Sequence, residues 1–257
     1  MAVELRGVTT TYRERNALLT AIDDVSLAVG ASEFVALIGP SGSGKSTLLD
    51  IVAGLIEPVV GDVRLDGEVL LADRRLGRSA YMRQRDLLLP WRTTVENAAL
   101  ALEAAGVPRR RALAAAHSRL AEFGLAGFER AYPAQLSGGM RQRVAFLRTA
   151  LTDRPLLLLD EPFGALDALT RAEMQAWLLD RWQRDQRSVL LVTHDVEEAV
   201  LLADRVVVLS AAPGTVCWIE TIALPRPRRR SLVTDPRFVR HKAIVLAALG
   251  FLPEDRP

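Results

Sequence analysis

The most restrictive feature of the sequence is a strand-like run that leads directly into a glycine-rich loop and then into a helix-like repeat. The apolar run FVALI, Phe34–Ile38, is followed at once by GPSGSGKST, Gly39–Thr47. Apolar side chains then recur at Leu48, Val52 and Leu55, a spacing that places them on one face of a helix. The stretch therefore predicts an α/β core with a glycine-rich connection from a buried strand to a helix.

Three more apolar runs are equally short and unalternating: Leu156–Leu159, Val189–Val192 and Val206–Leu209. Together with the first run they predict a mostly parallel sheet that is covered on both faces. Residues 1–30 differ, because the segments VELRGV and DDVSLAV alternate apolar and polar side chains. This alternation is typical of half-buried strands and predicts an N-terminal antiparallel β subdomain.

The region between about 87 and 151 contains no convincing strand pattern. Thr93, with Glu96 three residues later, resembles a helix-starting capping box, and this helix is expected to run to Gly106. A second helix is expected to stop at Gly124. Apolar residues at helical spacing predict a third helix: Met140, Val144, Leu147 and Leu151.

Length and composition limit the possible classes of protein. The chain has 257 residues, and 49% of them are hydrophobic, which is enough for one large α/β domain. We expect a single domain over residues 1–257, with an α/β core formed by 1–84 and 152–257 and an inserted helical subdomain at 85–151. The net charge of only +2 gives no indication of nucleic-acid binding, and no nucleic-acid partner is expected.

Cysteine usage and the apolar segments bear on location. A single cysteine, Cys217, excludes an internal disulfide, and the start MAVELRGVTT lacks the layout of a signal peptide, so a reducing cytoplasm is favoured. The longest uncharged apolar run, Ala243–Leu252, is shorter than the roughly 20 residues that cross a bilayer. If the protein serves a membrane, we expect it to act as a peripheral subunit on another chain.

The glycine-rich stretch fits the pattern of a loop that binds a nucleoside triphosphate and Mg²⁺. Gly42 and Gly44 let backbone N–H groups approach phosphate oxygens at the positive end of a helix. Lys45 supplies a charge for the β and γ phosphates, and Ser46 a hydroxyl for Mg²⁺. Asp160, at the end of an apolar run, is the expected carboxylate for the metal. We predict that the whole loop binds the nucleotide: Gly39, Pro40, Ser41, Gly42, Ser43, Gly44, Lys45, Ser46 and Thr47.

Glu161 follows Asp160 directly. Two acids at the end of a buried strand are costly unless they face a metal and a reacting group, so we predict that Glu161 orients and deprotonates the attacking water. Taken alone, Glu161–Pro162 is equally compatible with a polar strand exit. The glycine-rich loop upstream favours the catalytic interpretation.

Further motifs resemble those of ATP-binding cassette (ABC) proteins. LSGGMRQR, Leu136–Arg143, precedes LLLLDEP as the signature motif does in that family, and the resemblance spans almost the whole chain. It implies that Tyr12 stacks on adenine, that Gln84 contacts Mg²⁺ and the γ phosphate, and that His194 is the switch histidine. Three residues resemble the D-loop, whose aspartate is expected near the nucleotide: Ala165, Leu166 and Asp167.

Ser137, Gly138 and Gly139 lie immediately before a predicted helix and form a second helix N-terminus with accessible N–H groups. On its own such a sequence is most often a flexible cap. The resemblance implies instead that two chains enclose two ATP molecules head to tail. Each γ phosphate would then contact Lys45 of one subunit and Ser137 of the other in a homodimer.

The combination of LLPW and DEPFGALDALTR is similar to the importer ATPases of the nitrate, sulfonate and taurine group, and YMRQRDLLLPW to those for pyrimidine thiamine precursors. This resemblance implies transmembrane permease subunits, an extracytoplasmic solute-binding protein and a place on the cytoplasmic face of the plasma membrane. The apolar turn Leu88–Trp91 is either a permease-docking surface or internal packing. Arg83 departs from the family, in which proline is frequent, and this bears on the rigidity of the loop around Gln84.

Other classes remain open at this point: an exporter ATPase, a soluble ABC ATPase, and a scaffold that binds nucleotide without hydrolysis. A single glycine-rich loop and the absence of sustained heptads disfavour the second, and the presence of Asp160, Glu161 and His194 disfavours the third. We assign no ligand role to Trp177 and Trp182, which are expected to pack. PRPRRR, Pro225–Arg230, is expected to form a solvated turn.

Overall fold

The structure is a computed structural model that describes residues 2–14 and 17–251. Strand β3, Phe34–Ile38, leads through the glycine-rich loop into helix α1, Lys45–Ala53, and both β3 and the helix residues Leu48 and Val52 are buried. The helix ends earlier than predicted, because Gly54 adopts a left-handed conformation that caps it. Leu55 therefore lies outside the helix and is 49% exposed, so its predicted place in the apolar stripe is wrong.

A six-stranded sheet forms the centre of the molecule. Besides β3 it contains β6, β7, β8, β9 and β10, which span Ser79–Met82, Leu156–Asp160, Ser188–Val192, Arg205–Leu209 and Val216–Thr221. The strand order is β10-β9-β3-β8-β7-β6, and only β10 is antiparallel to its neighbour. The predicted parallel sheet is confirmed, and the carboxyl ends of β3, β7 and β8 meet at one edge.

The N-terminal part forms a separate antiparallel sheet, as predicted. It contains β1, β2, β4 and β5, which span Val3–Glu14, Ala17–Val29, Val60–Leu65 and Glu68–Val69. The order is β2-β1-β4-β5. A parallel bridge between Ile22 and Gly214 joins β2 to the loop before β10, so this sheet lies directly beside the glycine-rich loop.

Helices α2, α3, α4 and α5 precede β7 and span Ala72–Arg75, Thr94–Ala104, Arg109–Arg119 and Gly138–Ala150. Helices α6, α7 and α8 follow β7 and span Ala168–Asp185, Val196–Leu202 and Pro236–Ala248. The predicted capping box is present, because the backbone N–H of Thr93 donates to Glu96 Oε2 at 2.9 Å. Residues 87–151, all of them described, contain helices and loops without a strand. None of the helices within 2–14 and 17–251 combines the length and apolarity needed to span a bilayer.

Alternate residues of β3 contribute to two hydrophobic cores. Phe34, Ala36 and Ile38 face a core shared with the helices α3–α8, whereas Val35 and Leu37 face a core shared with α1 and the antiparallel sheet. Trp177 and Trp182 pack in or against the first core, as expected. The central sheet is therefore covered on both faces, which explains its continuous apolar strands.

The segment Pro225–Arg230 differs from the solvated turn that we expected. Arg228 is 4% exposed, and its guanidinium donates to the carbonyls of Val200, Ala203, Ile222 and Leu224. Arg226 pairs with Asp204 at 2.6 Å and stacks on the Trp182 ring. Charged side chains become buried here because free carbonyls at the end of α7 accept their hydrogen bonds.

Candidate functional site

The glycine-rich loop lies between the end of β3 and the start of α1, with the backbone geometry that its glycines permit. Gly42 and Gly44 have φ angles of +81° and +83°, which side-chain-bearing residues rarely adopt. A Cβ atom on Gly44 would also lie only 2.3 Å from Ile22 Cγ2. The packing of β2 against the loop thus requires glycine at 44, and α1 begins at the next residue with its N–H groups directed toward the loop.

Lys45 is held inside this loop. Its Nζ donates to the carbonyl oxygens of Gly39 at 2.9 Å and Pro40 at 2.7 Å, and to Ser43 Oγ at 3.2 Å. Burial lowers the pKa of Lys45, while the negative charges of Glu161 and Asp160 act in the opposite direction. A partly desolvated ammonium group in a glycine-rich loop at the start of a helix is suited to binding a polyphosphate.

Asp160 ends β7 with its carboxyl group 3% exposed and hydrogen-bonded to the side chain of Ser46. Burial raises the pKa of Asp160, the Ser46 hydroxyl lowers it, and the neighbouring Glu161 raises it. The Asp160 carboxylate and the Ser46 hydroxyl form a sparse set of hard oxygen ligands, and Gln84 contacts the adjacent Glu161. Such a set fits Mg²⁺, which keeps several waters and takes further ligands from substrate phosphates.

Glu161 is the point at which three predicted residues meet. Gln84 Nε2 donates to Glu161 Oε2 at 3.1 Å, and His194 Nδ1 lies 3.4 Å from the same oxygen. The Glu161 backbone has φ +47°, a left-handed conformation that is unusual for a side-chain-bearing residue. Its N–H donates to the carbonyl of Val192 at the end of β8, which fixes the carboxylate at the shared sheet edge.

Two buried residues that were not predicted from the sequence support the segments that carry Glu161 and His194. Gln142, buried in α5, approaches the Glu161 carbonyl with its Nε2 at 3.4 Å. Glu198, 4% exposed in α7, accepts a hydrogen bond from Gln175 Nε2 at 3.0 Å and lies within the shell of residues around His194. Polar residues inside an apolar helix stripe are the sequence signal that could have identified both.

Arg83 stands where proline is frequent in the family, and its side chain forms an ion pair with Asp50. Its guanidinium donates to Asp50 Oδ2 at 2.8 Å and lies over the Tyr81 ring. Asp50 belongs to α1, so this pair ties the loop before Gln84 to the helix that begins at Lys45. The loop is thus anchored by charge, where a proline would restrict it by its ring.

Ser137 begins α5 as the sequence predicted. Its Oγ accepts the N–H of Met140 at 3.2 Å, and Ser137 and Gly138 are exposed. Gly139 is close to the predicted D-loop, since a Cβ there would lie 3.4 Å from the Ala165 carbonyl. No hydrogen bond within the described ranges joins Ser137–Gly139 to the glycine-rich loop.

Asp167 and Tyr12 also have defined positions. The Asp167 carboxylate caps α6 by accepting the N–H groups of Leu169 and Thr170, and these hydrogen bonds, led by that of Thr170, lower its pKa. Tyr12 is 39% exposed on β1, and its hydroxyl donates to Thr47 Oγ1 at 3.2 Å. The tyrosine ring therefore stands beside α1 at the edge of the predicted nucleotide site.

The sequence profile described as "ABC transporter" matches residues 22–164, more than half of the chain. The chain belongs to the ABC transporter family. The predicted family and fold class are thereby confirmed, and this ABC protein binds ATP and has the ATPase activity of its family. The assignment of individual residues to steps of that activity stays a prediction.

Relatives of this ABC protein match over most of its length. It is 46% identical over 250 residues to the aliphatic sulfonates import ATP-binding protein SsuB 1 of Frankia alni, covering 97% of this chain and 85% of that protein. It is 44% identical over 246 residues to the taurine import ATP-binding protein TauB of Burkholderia pseudomallei, covering 93% of each chain.

Solved structures agree with the fold of this ABC protein. It superposes on the dimeric structure of a bacterial ABC transporter cassette with a TM-score of 0.78 and 32% identity, covering 87% of this chain and all of that one. A second structure with a TM-score of 0.78, at 31% identity, is a dimeric post-hydrolysis state of a cassette bound to ADP and Pi.

Proposed function

We propose that this protein is the ATP-hydrolysing subunit of an importer, in which two copies close around two Mg-ATP molecules. The observation that carries the proposal is the convergence of Gln84 and His194 on one carboxylate oxygen of Glu161, beside Lys45 and Asp160. The names of relatives, which refer to import of aliphatic sulfonates and taurine, support uptake as the direction of transport.

Each residue then has a chemical task. Lys45 and the loop N–H groups bind the β and γ phosphates, and Ser46, Asp160 and Gln84 hold the metal. A bound magnesium ion supplies positive charge that stabilises the transferring phosphoryl group. Glu161 accepts the proton of the attacking water, and His194 orients the Glu161 carboxylate and contacts the γ phosphate.

The second half of the site comes from the partner copy in this proposal. Ser137 and Gly138 are exposed and Gly139 is half-buried at the start of α5, so this segment can face the γ phosphate bound by another copy. Asp167 and Tyr12 would border the phosphates and the adenine. The dimeric state of the related cassette structures supports this arrangement.

We further propose that residues 85–151 form the helical subdomain that meets transmembrane permease subunits at the cytoplasmic face of the plasma membrane. Trp91 is 70% exposed, whereas Leu88 packs against the core, and this exposure supports Trp91 as the residue of the turn that would dock. An extracytoplasmic solute-binding protein would complete the system and deliver a small solute of the sulfonate or taurine kind.

The replacement Glu161→Gln tests the proposal. We expect hydrolysis to fall by at least about a hundred-fold, because an amide cannot accept the proton, while ATP binding persists. Light scattering with ATP and Mg²⁺ should then show a stable dimer, and without nucleotide a monomer or weak dimer. Glu173→Gln, an exposed carboxylate on α6, is the matched control and should hydrolyse ATP as the unmodified protein does. Normal turnover in the Glu161→Gln variant would refute the assigned base.

A further inference from the structure

A second cavity lies away from the glycine-rich loop, between α6 and the segment that follows β10. Its volume is about 380 Å³, within the range of small-molecule sites. One wall is the face of α6 that presents Ala172, Ala176 and Leu179, and Leu201 of α7 adds a further apolar side chain. Arg228, Arg229 and Arg230 form the opposite side.

The charge around this cavity is positive and unbalanced. Among the described residues, no carboxylate forms an ion pair with Arg228, Arg229 or Arg230. Asp180, which also lines the cavity, is paired with Arg184 at 3.0 Å and so offers the arginines little compensation.

Arg228 is the buried member of the three. Carbonyl oxygens accept its terminal N–H groups, and its Nε is buried without a hydrogen-bond partner. Burial and the nearby Arg226 lower the pKa of Arg228 to about 10, so the side chain is still charged at neutral pH. Asp204 raises the pKa of Arg228, but Asp204 is itself paired with Arg226. A buried cation without an ion-pair partner of its own is costly, and an anion in the cavity would reduce that cost.

Arg229 and Arg230 are exposed at the cavity, and Arg229 makes no side-chain hydrogen bond among the described residues. Arg230 makes one long contact, from Nη1 to the Ala168 carbonyl at 3.4 Å. The Arg229 guanidinium and the remaining N–H groups of Arg230 can bind a sulfonate or carboxylate through paired N–H donors. The apolar wall of α6 is suited to a short hydrocarbon portion attached to that anion.

The cavity is connected to the proposed hydrolytic residues through a hydrogen bond between Gln175 and Glu198. Gln175 lines it and donates to Glu198, which lies in the same shell as His194 and Glu161. Arg230 contacts Ala168, the first residue of α6 after Asp167. An anion that recruits Gln175 and Arg230 would weaken both contacts and loosen the two loops next to the nucleotide.

From these observations we propose that the cavity between α6 and Pro227–Arg230 is a regulatory site for a small organic anion with a short apolar portion, and that its occupancy slows ATP turnover. Binding is independent of the proposed importer function. The effect on turnover depends on the proposed hydrolytic residues, and it does not depend on the direction of transport.

Binding is tested by calorimetry on the full chain with butanesulfonate, in saturating Mg-ADP so that the glycine-rich loop is occupied. We expect one site per chain, whose dissociation constant rises at least about ten-fold in Arg229→Gln/Arg230→Gln, because two charge-assisted contacts are lost. Arg110→Gln/Arg111→Gln removes the same charge from exposed positions on α4 and should bind as the unmodified chain does. Inorganic sulfate should bind more weakly than butanesulfonate, and butylamine should not bind.

Turnover supplies the second readout. Saturating butanesulfonate should lower the ATPase rate of the unmodified chain at least two-fold and that of Arg229→Gln/Arg230→Gln less, each rate being compared with that of the same protein without butanesulfonate. The site is refuted by absent binding, by equal binding in the two double variants, or by sulfate binding as tightly as butanesulfonate. Binding without any change in turnover refutes the regulatory role and leaves the ATPase assignment intact.

Discussion

Glu198 is the side chain that shows most clearly how packing changes chemistry at the residue scale. It lies in α7 with 4% exposure, among Gln175, Thr193 and Asp195. Burial raises the pKa of Glu198 to about 7, and the hydrogen bond from Thr193 only partly offsets this. A buried carboxyl that holds its proton near neutrality can act as both donor and acceptor beside the loop of His194.

Replacing Glu198 by Gln makes this effect measurable. The folded protein binds the Glu198 proton more tightly than the unfolded chain does, so its stabilising contribution is complete below about pH 4.5 and is lost as the pH rises through about 7. The free energy of unfolding of Glu198→Gln minus that of the unmodified protein should therefore increase across this window, by up to about 3 kcal/mol. Urea titrations at several pH values measure the difference, and a flat difference would contradict the raised pKa.

At the scale of elements, the turn before α3 depends on one buried amide. Asn97 is fully buried, and its Nδ2 donates to the carbonyls of Leu89, Arg92 and Thr93 while its Oδ1 accepts the Leu89 N–H at 2.7 Å. These four hydrogen bonds close the turn on itself. Trp91 is therefore presented to solvent on a fixed backbone.

Asn97→Ala should break this turn without touching the nucleotide residues. We expect the free energy of unfolding to fall by about 2–4 kcal/mol, since buried backbone groups lose their partners and a cavity forms. Asn97→Asp keeps the acceptor but directs a carboxylate oxygen at the three carbonyls in a buried site, and should be at least as destabilising as Asn97→Ala at neutral pH. Thermal unfolding followed by circular dichroism measures the order, and an Asn97→Ala variant as stable as the unmodified protein would contradict this role.

The sequence predicts elements well where one physical signal is strong. Continuous apolar runs identified β3, β7, β8 and β9, and the Thr93–Glu96 pair identified the start of α3. The edge strand β10 was not predicted, and its residues alternate between partial burial and exposure instead of being buried on both faces. Arg228 was expected to be solvated because two of the carbonyls that bury it, those of Val200 and Ala203, belong to residues 25 or more positions earlier in the chain.

The candidate site shows the same limit. Sequence motifs identified Lys45, Asp160, Glu161 and His194, since each follows a strand or opens a helix. The contact of Gln142 with Glu161 could not be inferred, because it depends on how α5 packs against the end of β7. Spacing along the chain specifies chemistry near strand ends, whereas supporting residues are defined only by tertiary packing.

At the scale of the whole molecule, the nucleotide site and the predicted permease contact belong to the same loop. Gln84 contacts Glu161, and the chain then reaches the Trp91 turn within a few residues. Arg148 of α5 donates to the backbone carbonyls of Asp86 and Leu87 in between. A movement of Gln84 at the nucleotide would thus displace the exposed turn and α5 together.

Trp91→Ala tests this connection. We expect the purified subunit to keep its stability and its ATPase rate, because Trp91 is 70% exposed and makes no contact with the site. Binding to the permease and transport should be lost or reduced at least ten-fold. Leu71→Ala, another exposed apolar side chain at 65%, is the matched control and should transport normally. Full transport by the Trp91→Ala variant would show that the turn is not the docking surface.

The left-handed backbone at Glu161 favours catalytic activity at the expense of thermal stability. A residue with a side chain in this conformation is disfavoured by about 1 kcal/mol or more relative to glycine, so Glu161→Gly should relieve local strain while removing the carboxylate. Directed evolution for heat tolerance alone would then enrich inactive proteins at this position. Selection of a more thermostable variant therefore has to include ATPase activity as well as melting temperature.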